Sequence, residues 1–134
     1  MPEYAGIWID LEKAYIVKLQ DGKESLEVID SNVEKHIRLS GGARSKTPFG
    51  PQEIASERKP EERRKHQLTR FYRDVIKNIE DVSRVYIMGP GEAKKALNKE
   101  IAKVKRLSAI RVVVETADKM TEKQLIAKVK DFYL

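Results

Sequence analysis

The sequence predicts an α/β (α+β) fold in which a mixed β-sheet of about five or six strands carries three helices packed on it. Three observations predict it. The first thirty residues hold three short apolar runs separated by polar turns. Residues 60–79 repeat apolar side chains at the 3, 4, 7, 8, 11 offsets of one helical face. From Arg84 onward, strand-like and helix-like patterns alternate.

Ala5–Ile9 (AGIWI) and Ala14–Leu19 (AYIVKL) read as strands joined by the polar turn DLEK. Leu26–Ile29 makes a third after Asp21-Gly22, a strong hairpin signal. Val33–Leu39 reads as a further strand, with Val33, Ile37 and Leu39 on one face and Glu34, His36 and Arg38 on the other, while Lys35 interrupts the apolar row. No period is visible from Ser40 to Pro60, so residues 40–60 are expected to form a long loop, of the kind that usually carries function. Pro60 suits the first turn of a helix, and Glu61 and Glu62 complement its positive end. Leu68, Phe71, Tyr72, Val75, Ile76 and Ile79 form its inner face, which leaves Arg63, Arg64, Arg70, Arg73 and Lys77 for the flanks and outer side.

Arg84–Met88 is the next strand, and Gly89-Pro90-Gly91 turns the chain into a helix over Glu92–Lys105 with Ala93, Ala96, Leu97, Ile101 and Val104 inward. Ile110–Val114 is another strand. Thr121 and Gln124 have capping-box spacing and open a last helix expected to bury Leu125, Val129, Phe132 and Tyr133.

At 134 residues the chain reads as a single domain over 1–134. With no cysteine, a disulfide framework, a thiol nucleophile and a thiolate metal site are excluded, and two histidines leave little for zinc. The apolar runs fall far short of the ~20 residues of a membrane span. The start MPEYAG lacks the pattern of a signal peptide, so a cytoplasmic location without membrane attachment is expected.

The net charge of +6 is unevenly placed. Glu34–Lys77 holds twelve Lys and Arg against six acids, the rest of the chain is balanced, and no acid occurs from Lys35 to Lys46. Such a field attracts polyanions, nucleic acid above all, although a merely solubilising basic face has the same composition. Within it, Gly41 and Gly42 permit close backbone approach, and Arg44 and Lys46 beside them supply phosphate contacts.

Other motifs carry less. Gly89-Pro90-Gly91-Glu92 precedes a helix but is neither a dinucleotide fingerprint nor a P-loop, and Glu92 repels phosphate, so it reads as a tight turn. Asp10, Asp30 and Asp118 follow strands, where nucleases hold magnesium, yet Asp10 has no evident partner and turns favour aspartate. His36 and His66 lack a nucleophile in any recognisable arrangement, and His66 reads as a polar contact on the basic helix.

The order of these elements resembles the middle domain of the eukaryotic and archaeal class-one peptide-chain release factors and of Pelota, particularly small bacterial single-domain relatives of it. The residues concerned are AGIWIDLEKAYIVKL, the basic strand, Gly41-Gly42 in a long loop, the amphipathic helix and VYIMGPGEAKKAL, from Ala5 to about Val114. The resemblance implies a ribonuclease-H-like, translational-machinery-component-like fold. It matches Gly89-Pro90-Gly91 with Lys94 and Lys95 to the turn and lysine-containing helix of the Pelota domain. Ala43 stands where the release factors carry the glutamine of Gly-Gly-Gln, which places the water that cleaves peptidyl-tRNA; Gln52 has unrelated flanks.

The implied function is a non-catalytic, ribosome- or tRNA-associated RNA-binding protein. Lys35, His36, Arg38, Gly41, Gly42, Arg44, Lys46, Arg63 and Arg64 form its candidate RNA-binding site, and no cofactor or metal is called for. The alternatives are a hydrolase, either a magnesium-dependent nuclease around Asp10 or a peptidyl-tRNA hydrolase using another residue, and a protein–protein interaction module.

Overall fold

A computed structural model describes residues 4–33 and 50–133, with residues 50–60 described by their backbone alone. It contains strands β1 (Tyr4–Ile9), β2 (Lys13–Gln20), β3 (Lys23–Asp30), β4 (Arg84–Gly89) and β5 (Arg111–Thr116). Its helices are α1 (Gly50–Lys77), α2 (Ala93–Ala102) and α3 (Glu122–Tyr133), with a 3₁₀ turn at Lys105–Leu107. The strands form one mixed sheet in the order β3-β2-β1-β4-β5, the first three antiparallel and both β1–β4 and β4–β5 parallel. The expected α/β fold with three helices is therefore present.

Local chemistry explains the turns. Asp21 and Gly22 take φ of 53° and 79° between Gln20 and Lys23, which pair across the strands, so the hairpin closes through two left-handed residues. At the β1–β2 turn, Asp10 Oδ1 accepts the backbone N–H of Glu12 (2.8 Å) and of Lys13 (2.9 Å). The capping box of α3 is formed: Gln124 N donates to Thr121 Oγ1 (3.1 Å), and Thr121 N donates to Gln124 Oε1 (2.9 Å).

Because strand side chains alternate, β1 feeds two cores. Ala5, Ile7 and Ile9 join Phe71, Val75 and Ile79 of α1 and the turn after it, and Leu97 and Ile101 of α2. Trp8 joins Val17, Tyr86 and Met88 with Leu125 and Val129 of α3 on the opposite face. Each fully buried side chain of this size contributes roughly 1.5–3 kcal/mol, an upper bound against an extended chain. Gly6 makes the second contact possible, since a β-carbon there would run into Val129 Cγ2.

Two expectations need correction. The loop does not reach Pro60: α1 begins at Gly50, so Pro60 lies inside the helix. Proline at an interior position costs about 3 kcal/mol, but Gln52–Lys59 is dominated by good helix formers and Pro51 suits a helix start. Phe132 is not buried but 43% exposed, since it lies one turn beyond Val129, near the end of α3. Residues 34–49, with the strand expected at Val33–Leu39 and the candidates Lys35, His36, Arg38, Gly41, Gly42, Arg44 and Lys46, lie outside the described residues.

Candidate nucleic-acid interface

Helix α1 is the described part of the basic third of the chain. Its inner face is fixed by Phe71, Tyr72, Val75 and Ile76, all buried, with Leu68 half-buried. Arg63, His66, Arg70, Arg73 and Lys77 recur at steps of three and four, and all five are exposed. At 3.6 residues per turn these positions form one stripe opposite the apolar face, about 21 Å long at the helical rise. Glu62 and the half-buried Asp74 flank it.

The adjacent arginines of the candidate site separate here. Arg63 lies on the exposed stripe, whereas Arg64 is half-buried, and its buried Nε has no hydrogen-bond partner among the described residues. Arg64 acts electrostatically on Tyr72, whose hydroxyl is pushed above its ordinary value by burial first and Glu100 second, with Arg64 opposing.

At its C-terminal end the stripe borders a cleft of about 320 Å³ whose basic lining is Arg73 and Lys77 from α1, Lys103 after α2, and Arg106. Glu100 pairs with Lys103 at 2.8 Å, and Glu80 pairs with Arg106. Neither Arg73 nor Lys77 pairs with an acid among the described residues, so the α1 wall keeps its charge. Sequence reading missed Lys103 and Arg106: they come from a different segment, and no local signal aims them at α1. The stripe itself was legible in the spacing of the basic residues.

The glycine turn is closed on itself. Gly89 has φ 152°, and a β-carbon there would collide with the Ile9 carbonyl oxygen; Gly91 has φ 66°. Lys94, 6% exposed, donates from Nζ to the Gly91 carbonyl at 2.5 Å, while Lys95 is exposed. Of the strand-end aspartates, Asp10 holds its own turn as described, and Asp30 Oδ1 accepts the N–H of Asn32 at 2.8 Å. Asp118 supplies its backbone carbonyl to Trp8 Nε1 at 3.1 Å. The first two thus have local structural work, and the third contributes backbone. Among the described residues no helix is long and apolar enough to cross a membrane.

No family model matches the sequence, and no curated protein matches it. Solved structures do. Pelota of Archaeoglobus fulgidus is similar with a TM-score of 0.58 at 14% identity, over 98% of this chain and 32% of its own. An archaeal translation termination factor is similar with a TM-score of 0.53 at 12% identity, over 95% of this chain and 33% of its own. Pelota of Thermoplasma acidophilum follows with 0.51 at 13%, over 96% and 31%. The fold is thus similar to Pelota and termination-factor domains, and the chain spans about a third of the length of these proteins.

Proposed function

We propose that this protein is a non-catalytic RNA-binding protein that associates with the ribosome or tRNA in the cytoplasm. The observation that carries the proposal is the exposed, acid-poor stripe Arg63, His66, Arg70, Arg73 and Lys77. Its cations match a phosphate backbone: arginine meets phosphate with a planar fork, lysine as a point charge. Each phosphate neutralised releases counterions, so such binding weakens steeply with salt. In the proposal Lys35, His36, Arg38, Arg44 and Lys46 extend the contact, Gly41 and Gly42 allow close approach, and Arg63 and Arg64 join it to the helix. The fold's likeness to Pelota and a termination factor supports the translational setting. Ala43 supplies a methyl group where the resemblance calls for an amide, which supports binding without peptide release.

Ribosome pelleting at low and high salt tests the reading. We expect co-sedimentation at low salt, loss at high salt, and loss at low salt for Arg70→Glu with Arg73→Glu or for Arg44→Glu with Lys46→Glu. Absence of co-sedimentation at low salt, or indifference to both double variants, contradicts it. Incubating labelled RNA and peptidyl-tRNA with the protein, with and without magnesium, tests the hydrolase alternative; cleavage of either overturns the non-catalytic part.

A further inference from the structure

A second surface lies across the sheet from α1. Strand register puts Arg84 beside Arg111 and Tyr86 beside Val113. Side-chain alternation turns all four toward the α3 side, where Tyr86 packs with Leu125 and Val129. The two arginines are therefore direct neighbours of like charge, an arrangement that destabilises a sheet unless a counter-charge is provided. Both are exposed, and neither forms an ion pair with an acid among the described residues. Arg84 does lie over the Tyr4 ring, 5.8 Å from its centroid.

Beside them stands an exposed aromatic platform. Phe132 stacks on Tyr86 with ring centroids 4.0 Å apart and planes 11° from parallel, and it remains 43% exposed. Val113 next to Tyr86 is 44% exposed. Tyr86 itself is held by its hydroxyl, which donates to Glu115, and Phe132 also meets Tyr133 edge-on at 4.9 Å. Thus the ring is mounted on a braced partner. Two residues along each strand, roughly 7 Å at the strand rise, separate the Tyr86–Val113 row from the arginine row.

We infer that this face binds single-stranded RNA, with a base stacked against Phe132 and Val113 and the adjoining phosphate held between Arg84 and Arg111. The two halves of a nucleotide match the two halves of the patch. Unstacked bases need an apolar, planar surface, and their phosphates need cations that the protein has not already neutralised. A duplex hides its base faces and gains only from the arginines. An acidic peptide satisfies the arginines without needing the ring. Glu115, on the far side of Val113 from Arg111, sets the polarity by repelling phosphate from that end. This site stands apart from the α1 stripe, on the opposite face of the sheet, so the two can fail separately.

The test is fluorescence anisotropy on the full chain with labelled 12-nucleotide oligouridine, a 12-base-pair RNA duplex and polyglutamate of matching charge. We expect Phe132→Leu to weaken oligouridine about fivefold or more, the low end for loss of one stacking contact. Phe132→Tyr is expected to preserve binding, and both variants to leave the duplex nearly unaffected. Arg84→Gln combined with Arg111→Gln is expected to lower the slope of log affinity against log salt by about 0.7, the single-strand value for the one phosphate the pair holds. The inference is overturned if Phe132→Leu binds oligouridine like the parent while melting at the same temperature, or if Phe132→Leu weakens the duplex or polyglutamate as much as it weakens oligouridine. If Arg70→Gln with Arg73→Gln weakens RNA binding and the Phe132 and Arg111 variants do not, the α1 reading stands and this one falls. If the parent binds no RNA at all, both fall.

Discussion

The Gly89-Pro90-Gly91 turn and the outer stripe of α1 both combine features that attract attention in a sequence, yet they use their cations in opposite ways. At the turn, Lys94 is buried and spends a donor on the Gly91 carbonyl, while Gly89 sits against the Ile9 carbonyl with no room for a β-carbon. On the stripe, Arg70, Arg73 and Lys77 stand in solvent with no acid paired to them among the described residues. A cation whose hydrogen bonds are already made inside the protein has little left to offer an anion. One held out by a rigid helix has nearly all of its charge available. The first region is about folding, the second about binding, and substitutions should separate the two.

The largest stability effect is expected at Gly89→Ala, because the new side chain meets backbone and the φ of 152° strains any L-residue. A loss of about 3 kcal/mol or more in urea denaturation is anticipated; a loss below about 1 kcal/mol breaks the idea that this turn is a packing device. Gly6→Ala should cost about 1–3 kcal/mol by overpacking. Adding Val129→Ala should recover part of that loss, since the added methyl group collides with the Val129 side chain. Additive losses in the double variant contradict the contact.

The comparison extends to pH. Tyr72, Tyr86 and Tyr133 are all pushed above their ordinary value, with burial the first cause in each. For Tyr86 the bond to Glu115 adds to it, and for Tyr133 the Arg84 guanidinium opposes it. Near and above pH ~10 the unfolded chain releases tyrosine protons that the folded chain still holds. Stability from these groups is therefore complete below that pH and lost as pH rises through the folded values. Urea midpoints measured across the alkaline range should fall, and Tyr86→Phe with Tyr133→Phe should flatten the fall.

Lys94→Met is a smaller test. It keeps the buried stem and removes the bond to Gly91, so a loss of about 1 kcal/mol is expected, with RNA affinity unchanged. A clear drop in affinity shows that the turn takes part in binding.

Much of this fold could be read from residues alone. Asp21-Gly22, the Thr121–Gln124 capping box and the period of Leu68–Ile79 each encode geometry within a few neighbouring positions. The start of α1 could not be read that way, because Pro48, Pro51 and Pro60 are local break signals, yet the helix runs through Pro60. Phe132 continued the apolar period of α3, but the period does not say how much of each side chain the sheet covers: Phe132 stacks on Tyr86 and still leaves 43% of itself exposed. The stripe on α1 was legible because one helix carries it. Arg84 beside Arg111 was not, since strand register joins residues from two distant segments.

The most direct measurement of the central claim is the salt dependence of RNA affinity for the parent and for the variant combining Arg63→Gln, Arg70→Gln, Arg73→Gln and Lys77→Gln. These exposed changes should each alter stability by no more than about 0.5 kcal/mol. If the stripe lies along a phosphate backbone, the log–log slope flattens by about three, close to the single-strand or duplex value per phosphate for four lost cations. A slope equal to the parent's, in a variant that remains folded, contradicts the account.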